Sequence, residues 1–298
     1  MKYLSICIPT NGITEWVIKV VDSIYSQKVD DNLFEVIITD NGESEQCKEA
    51  VEKEFGYHNN LIYKRTKAQL FLNQIESFKL ADGTFVKFQN HRAIMNPGSI
   101  EYLIGIVQKY ASEKPTIFFC DGIDNDVEWN EKPSFDEFVR TLGYWISYSG
   151  GLSFWKEDFA KNLEKLDYNY LFPHTTIVLN KVEKAKYIIC TRKISEEIPT
   201  GHGKKGKYKI YYAFGVELPS IILNLYKEGS ITYGTYKSVL RDIEKCIINH
   251  YIMFSIKGDP HSYDLANADE YLNVFFDYYR IKRVAYMKYA AKKILGRE

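Results

Sequence analysis

The sequence carries no excess of charge of either sign. Its 298 residues hold 39 Lys+Arg against 39 Asp+Glu. That balance argues against a general nucleic-acid binder and leaves only local basic patches to consider. No uninterrupted apolar run approaches the ~20 residues that a membrane-spanning helix needs. The opening Met1-Lys2-Tyr3-Leu4-Ser5-Ile6-Cys7-Ile8-Pro9 is too short an apolar stretch for a secretory leader, which needs about 7–15 residues and a small-residue cleavage site. The expectation is a cytoplasmic protein. Cysteine is sparse: Cys7, Cys47, Cys120, Cys190 and Cys246 are widely spaced, odd in number and include no CxxC pair, so no zinc or redox motif is indicated. Cys7, Cys120 and Cys190 sit inside apolar runs and are expected as small core residues. There is no internal repeat and no low-complexity tract.

What is present is apolar content: 45% of residues are hydrophobic, which excludes a disordered chain. A chain of this length buries most of its apolar surface without disulfide or metal staples. The length fits one large domain or one domain with an appendage.

The first 120 residues alternate between strand and helix signals. Residues 3–9 form an apolar run stopped by proline, and residues 34–39 a second strand stopped by Asp40-Asn41-Gly42. Short strands are also expected at 61–63, 84–88 and 116–120. Helical spacing is found at 15–27, 45–55 behind Ser44 as a cap, and 68–80 with Leu70, Phe71, Ile75 and Phe78 on one side. Asn96 and Pro97 read as the N-cap and first residue of a helix to about 111. This alternation is the signature of an α/β protein with a mostly parallel sheet. Ligands bind beyond the carboxyl ends of such strands, which directs attention to Thr10-Asn11, Asp40-Asn41, residues 64–67, 89–92 and 121–126. Beyond residue 130 the pattern is less regular. Residues 144–155 are aromatic around Gly150-Gly151, 156–166 and 174–184 look helical, and 186–191 is a strand. Residues 192–207 form a basic, glycine-spaced loop, and only helices follow residue 215. The expected domains are 1–215 and a helical extension, 216–298.

The segments LSICIPTNG, DSIYSQ and FEVIITDNGESE, followed by LNQIESFKLADGTFVKFQNHRAIMNPGSIEYLI, together resemble family 2 glycosyltransferases over about the first 110 residues. The resemblance implies a GT-A fold: a mixed, mostly parallel sheet flanked by helices, binding a nucleotide-sugar. It implies that Pro9, Thr10 and Asn11 form the first loop against the nucleoside. Asp40, ending the second strand, is placed to accept a hydrogen bond from a uracil imide N–H, a donor that cytosine lacks. A UDP-sugar is therefore the expected donor. The plain alternative is that Asp40 only closes an Asp-Asn-Gly turn. The resemblance also places a basic residue, Arg65 or Lys67, near the base or ribose; their alternative is a solvated basic face.

The sequence departs from the family after the fourth strand. There an aspartate cluster is expected to hold a divalent cation that neutralises the departing diphosphate. Here the residues are Gln89-Asn90-His91-Arg92, without a carboxylate. Magnesium and manganese favour oxygen ligands, mostly carboxylates, so neither cation is expected and no metal ligand is assigned. Three explanations stand: a metal-independent enzyme using Asn90, His91, Arg92 and the loop residues His202, Lys204 and Lys205 against the phosphates; a protein that binds without catalysis; or an alignment displaced by several residues.

An inverting transfer needs a general base for the acceptor hydroxyl. By the family's order that base falls near Phe172-Pro173-His174-Thr175, making His174 a candidate. Asp121, Asp124 and Asp126, after the fifth strand, are the carboxylate candidates, with Asp121 best placed. Tyr144, Trp145, Tyr148, Gly150, Gly151 and Trp155 are candidates for an acceptor pocket or, more plainly, core. Residues 280–297 carry Arg280, Lys282, Arg283, Lys288, Lys292, Lys293 and Arg297, with Val284, Met287, Ala291, Ile294 and Leu295 as an apolar side. Such a helix suits peripheral contact with the cytoplasmic face of an inner membrane; a solvated tail or a self-association helix in a homo-oligomer are its alternatives. The expected activity is transfer from a nucleotide-sugar to a glycan or lipid-linked glycan in bacterial surface polysaccharide synthesis. The rival is a silent nucleotide- or glycan-binding protein on the same fold. A sugar nucleotidyltransferase is disfavoured, because no glycine-rich activating loop follows the first strand.

Overall fold

The structure, a computed structural model, describes residues 2–123, 127–161, 163–199 and 207–296. The chain divides into two compact units, one of Met1–Phe138 with Trp145–Ile198, the other of Val139–Tyr144 with Pro199–Glu298.

The first unit is built on β1 (Leu4–Thr10), β2 (Phe34–Asp40), β3 (Leu61–Arg65) and β4 (Phe85–Phe88). They lie in the order β3-β2-β1-β4, all parallel, and β8 (Ser153–Trp155) adds an antiparallel edge beside β4. β1 and β2 are buried on both faces, as parallel strands covered by crossover helices must be. Alternate residues serve the two layers. Leu4, Ile6 and Ile8 enter one continuous core with Trp16, Val17, Val20 and Ile24 of α1 (Thr14–Tyr25). Cys47 and Val51 of α2 (Gln46–Phe55) and Leu103 and Val107 of α4 (Ser99–Tyr110) belong to the same core. On the other face Cys7 and Thr39 meet α3 (Asn73–Leu80): the Cys7 thiol donates to the Ser77 carbonyl and the Thr39 hydroxyl to the Asn73 carbonyl.

Four expected helices differ in detail. The helix expected from residue 96 begins at Ser99, behind Gly98 in the left-handed region (φ 76°). Asn96 instead spends its amide on the Lys193 carbonyl. The 68–80 helix is split: a 3₁₀ turn at Leu70–Leu72 precedes α3, and Leu70 is exposed rather than aligned with buried Ile75 and Phe78. The helix expected over 156–166 is α6 (Lys156–Lys161) followed by a 3₁₀ turn at Leu163–Lys165, and that over 174–184 ends early, as α7 (Pro173–Leu179).

A second sheet has the order β6-β9-β7, with β6 (Thr116–Phe119) parallel and β7 (Trp129–Lys132) antiparallel to β9 (Tyr187–Cys190). β5 (Ala93–Met95) pairs antiparallel with β10 (Ser195–Glu197). At the amino ends of the strands a buried acid, Glu35, fixes the break after α3. It accepts from Lys2 Nζ, Ser5 Oγ and the amides of Asp82 and Gly83 at 2.6–3.1 Å. A side chain at Gly83 would collide with the Leu4–Ser5 backbone, so glycine is required there. All five cysteines are buried and unbridged.

The second unit holds α5 (Phe135–Leu142) in part, then α8 (Ile210–Tyr212), a π-helical turn Ala213–Glu217 and α9 (Leu218–Lys227) as one helical run. A domain boundary at residue 215 would fall inside that run. α10 (Tyr233–His250) is capped by Thr232, α11 (Ala268–Leu272) is short, and α12 (Tyr278–Ile294) is capped by Asp277. Val239, Ile243, Ile247, Ile222, Leu272 and Ile281 form its apolar interior. Among the described residues no helix is long and apolar enough to cross a membrane.

Candidate active site

Register alone sets the first row of the site. Thr10 pairs with Asp40 and Asp40 with Arg65, so the last residues of β1, β2 and β3 stand side by side at the carboxyl edge. Asp40 is fully buried. Its Oδ2 accepts from Arg65 Nη1 (2.6 Å) and Tyr63 Oη (2.7 Å), and its Oδ1 from the Gly42 amide (2.7 Å). Arg65 also donates to the carbonyls of Gly42 and Ser44. A carboxylate offers about four acceptor positions, so one remains on Oδ1. Gly12, at φ 81°, crosses in front of that oxygen, and a side chain there would approach it to 3.3 Å. The turn role of Asp40 is thus built, and a base edge reaches Oδ1 only past the Gly12 loop. Tyr63, hemmed in by burial and the neighbouring Cys47 and Asp40, has its phenol pKa raised far above the ordinary range.

Asn73 ties this edge together and was not expected. Its amide donates to the carbonyls of Thr10 (3.1 Å) and Thr39 (2.7 Å), and its Oδ1 accepts from Thr66. In the sequence it resembles any polar residue near a helix start. Asn11 and Lys67 are exposed and Pro9 is half-buried. Asn41, beside Asp40, anchors the loop before α3 through the Ala68 carbonyl.

The second row is the turn after β4. Gln89 is buried and its amide donates to the Ala93 carbonyl, closing the turn. Asn90 Oδ1 accepts the Arg92 amide at 3.2 Å. His91 Nδ1 lies 2.8 Å from Thr10 Oγ1, which accepts the Gly12 amide, and the imidazole meets Trp16 edge-on at 5.5 Å. The simplest satisfied arrangement has Thr10 donating to Nδ1, leaving the proton on Nε2. Burial, and secondarily Arg92, pushes the His91 pKa down to about 3, so the ring is neutral at physiological pH. Arg92 Nη2 is 3.6 Å from Glu197 Oε1, and its Nε is buried with no hydrogen-bond partner among the described residues. An amide, a neutral imidazole and a guanidinium do not fit a hard divalent cation, and the guanidinium would repel one. No cluster of three or more His, Cys, Asp or Glu suited to a metal exists among the described residues.

Tyr148 links this turn to the third row. Burial raises its phenol to about 12, Asp121 and Glu197 push the same way, and Arg92 opposes them. Asp121, Glu197 and Arg92 thus come within electrostatic reach of this phenol from three separate segments. Asp121 itself is exposed just past β6. Trp145 packs over Gly122 and Tyr148 over Gly150, where added β-carbons would lie 2.2 and 2.4 Å from the rings. The two rings meet edge-on at 6.0 Å. Trp155, by contrast, is core: it is buried, and its indole donates to the Pro115 carbonyl.

Two buried bases hold the Trp145–Tyr148 segment. Lys87, on β4, donates to the carbonyls of Phe88 (2.7 Å), Gly150 (2.5 Å) and Leu152 (3.3 Å). Burial lowers its pKa to about 7. A lysine inside the apolar strand TFVKF is the mark it leaves in the sequence. His174 is buried at the start of α7, with Nε2 2.8 Å from the Ser147 carbonyl, while Thr175 bonds the Ile146 carbonyl. The carbonyl can only accept, so the His174 proton is on Nε2, and Nδ1 is buried without a partner among the described residues. Burial lowers its pKa to about 4. Glu197 was also missed, because only the β5–β10 pairing brings it to Arg92. His202, Lys204 and Lys205, like Asp124 and Asp126, lie outside the described residues.

The model for "Glycosyl transferase family 2" matches residues 5–189. The chain belongs to that family. It also has the GT-A architecture expected, shared with S. aureus TarS. TarS residues 1–349 in complex with UDP-GlcNAc superpose with a TM-score of 0.58 at 15% identity, covering 92% of this chain and 79% of that one. The UDP complex of the same fragment gives 0.57 at 13% identity, covering 84% and 72%. A curated relative from Methanococcus voltae, a dolichyl N-acetyl-alpha-D-glucosaminyl phosphate 3-beta-D-2,3-diacetamido-2,3-dideoxy-beta-D-glucuronosyltransferase, is 25% identical over 167 residues. That match covers 54% of this chain and 51% of the relative, so the chain aligns with about half the length of that enzyme. The family-model match contains all three rows of the site except Glu197.

Proposed function

We propose that this family 2 member is an inverting glycosyltransferase that takes a sugar from a UDP-linked donor and adds it to a glycan or lipid-linked glycan during surface polysaccharide assembly. The observation that carries this reading is Arg92, whose buried Nε has no partner among the described residues, in a turn joined to the strand-end row by the His91–Thr10 hydrogen bond. The TarS complexes with UDP and UDP-GlcNAc support a uridine donor, and the lipid-phosphate acceptor in the name of the Methanococcus voltae relative supports a lipid-linked one.

In this reading Pro9, Thr10, Asn11, Asp40, Arg65 and Lys67 bound the nucleoside. Asn90, Nε2–H of His91 and Arg92 face the diphosphate, joined by His202, Lys204 and Lys205. Arginine suits bidentate phosphate contacts, and these donors take the place of a cation. Asp121 accepts the acceptor hydroxyl's proton as its oxygen bonds to the anomeric carbon. The bond from that carbon to the phosphate oxygen breaks on the opposite face, and the nucleoside diphosphate leaves with the electron pair. His174, with its N–H spent on Ser147 and its basicity lowered, supports a positioning role better than a proton-accepting one. The enzyme would work at the cytoplasmic face of a membrane, touching it through residues 280–297.

A silent binder is favoured by one observation, the lack of carboxylates at residues 89–92. Calorimetry with UDP, in manganese and in chelator, followed by hydrolysis assays on a panel of UDP-sugars, separates the readings. The proposal expects UDP binding that survives chelator, loss of binding in Arg92→Ala, and slow hydrolysis of at least one UDP-sugar. Failure of UDP to bind in either condition overturns it.

A further inference from the structure

One face of α12 carries a line of exposed apolar side chains interrupted by Arg283. The helix packs through Ile281 and Ala285, both fully buried. At 3.6 residues per turn, Tyr279, Tyr286, Ala290 and Ile294 lie together on the side opposite these two, with Met287 at their edge. The large members are strongly exposed: Tyr279 by 74%, Met287 by 65% and Ile294 by 85%, with Leu295 following just past the helix end. Of the expected apolar side, Met287 and Ile294 belong to this exposed stripe, whereas Val284 and Ala291 lie outside it. Scattered exposed apolar residues need no explanation, but an aligned stripe of them does.

The charge around the stripe identifies its partner. Between Tyr278 and Ile294 there are six basic residues, Arg280, Lys282, Arg283, Lys288, Lys292 and Lys293, and no acid. Arg280 is held by Glu244. Arg283 sits within the stripe, and Lys282 and Lys293 run along one margin. A second protein copy presenting the same face would set these cations against one another. An anionic bilayer meets both features: aromatic and aliphatic side chains enter the headgroup boundary while long basic side chains reach back to lipid phosphates.

We propose that α12 lies in the plane of an anionic membrane surface, with Tyr279, Tyr286, Met287 and Ile294 inserted and Arg283 and Lys293 paired to lipid phosphates. This rests on, and narrows, the reading that the enzyme serves an acceptor at a membrane. Full-length protein should co-sediment with phosphatidylcholine vesicles containing about one quarter phosphatidylglycerol. It should bind at least about tenfold more weakly to phosphatidylcholine alone, or in about 0.5 M salt.

Two variants test the stripe: one combining Tyr286→Ser, Met287→Ser and Ile294→Ser, the other combining Arg283→Gln and Lys293→Gln. Met287 and Ile294 are more than half exposed, Tyr286 is half exposed, and Arg283 and Lys293 are exposed, so the fold should tolerate these changes, and UDP calorimetry checks it. Each variant should lose about tenfold or more in vesicle affinity with UDP binding unchanged. Three results overturn the proposal: no vesicle binding, binding indifferent to lipid charge or to both variants, or a dimer in light scattering that the apolar variant dissolves. UDP binding is measured without vesicles, so loss of the membrane proposal would leave the nucleotide reading standing, and loss of UDP binding alone would leave the membrane result intact.

Discussion

Arg92 Nη2 lies 3.6 Å from Glu197 Oε1, across the junction where Glu197 pairs with Ala93. That separation is too long for a hydrogen bond, so the carboxylate neutralises the guanidinium without consuming its donors. On the proposed reading an incoming diphosphate competes with Glu197 for the same charge. Glu197→Gln is therefore expected to tighten UDP binding about three- to tenfold, whereas Arg92→Ala weakens it about 10- to 100-fold, the range for lost charge-assisted hydrogen bonds. Calorimetry at one ionic strength checks both. Weaker UDP binding in Glu197→Gln would mean that Glu197 orients Arg92 rather than competing for it.

The Asp40–Arg65 pair makes a different prediction. Asp40 is fully buried, and it accepts from three donors. Replacing it with Asn removes the counter-charge of Arg65 and turns an amide group toward at least one of those donors. A loss of about 2–4 kcal/mol is expected in urea unfolding, below the upper range for a buried pair because Arg65 is partly exposed. Arg65→Lys should restore only part of the stability in an otherwise wild-type comparison with Arg65→Met, since an ammonium cannot span Asp40, Gly42 and Ser44 together.

The sheet was legible because its first strands are short apolar runs, and Asp40-Asn41-Gly42 closes the second where the structure ends β2; Pro9, read as a stop, lies one residue inside β1. The edge that carries Thr10, Asp40 and Arg65 followed from those runs. Past residue 120, β9, expected at 186–191, was legible in the same way, but β7 and β10 were not. β7 and β10 contain polar residues such as Asn130, Glu131 and Glu196, and they exist because β9 and β5 supply partners, which no periodicity announces. The same holds for the site: Thr10 and Asp40 declare themselves at strand ends, but Glu197 reaches Arg92 only through a pairing of segments about 100 residues apart, and Asn73 looks like an ordinary helix-start residue until its amide is seen bridging Thr10 and Thr39.

Acid should weaken the fold through His174. Its pKa falls from the ordinary 6.5 to about 4 on burial. Between about pH 6.5 and 4 the unfolded chain binds the proton that the folded chain refuses. Stability is therefore fully present above that window and is lost as pH falls through it, at up to about 1.4 kcal/mol per pH unit. His174→Gln keeps an N–H for the Ser147 carbonyl and cannot titrate, so its urea midpoint should fall less between pH 7 and pH 5 than that of the wild type. Parallel curves would show that His174 is not the group responsible.

Lys87 offers the complementary test on the alkaline side, with a functional consequence. Its three ammonium hydrogens meet the carbonyls of Phe88, Gly150 and Leu152, so the side chain ties the Tyr148-bearing turn to the strand that ends in the Asn90-His91-Arg92 turn. Methionine has similar length but leaves three buried acceptors unpaired, and a loss of about 2–4 kcal/mol is expected. The wild-type lysine falls from its ordinary 10.5 to about 7 in the fold. Between those values the unfolded chain holds the extra proton, so wild-type stability rises with pH from about 7 toward 10, and Lys87→Met should flatten that rise. The hydrogen bonds of Lys87 go to Phe88, Gly150 and Leu152 and not to Thr10, Asp40 or Arg65, so on the proposed reading UDP affinity should stay within about threefold while UDP-sugar turnover drops about tenfold or more as Tyr148 loses its seat. Gly150→Ala displaces the same ring and retains the Gly150 carbonyl that the ammonium bonds; it should reproduce the loss of turnover but keep the alkaline slope. If Gly150→Ala left turnover intact, Tyr148 would have no part in placing the reacting sugar, and the effect of Lys87→Met would be one of stability alone.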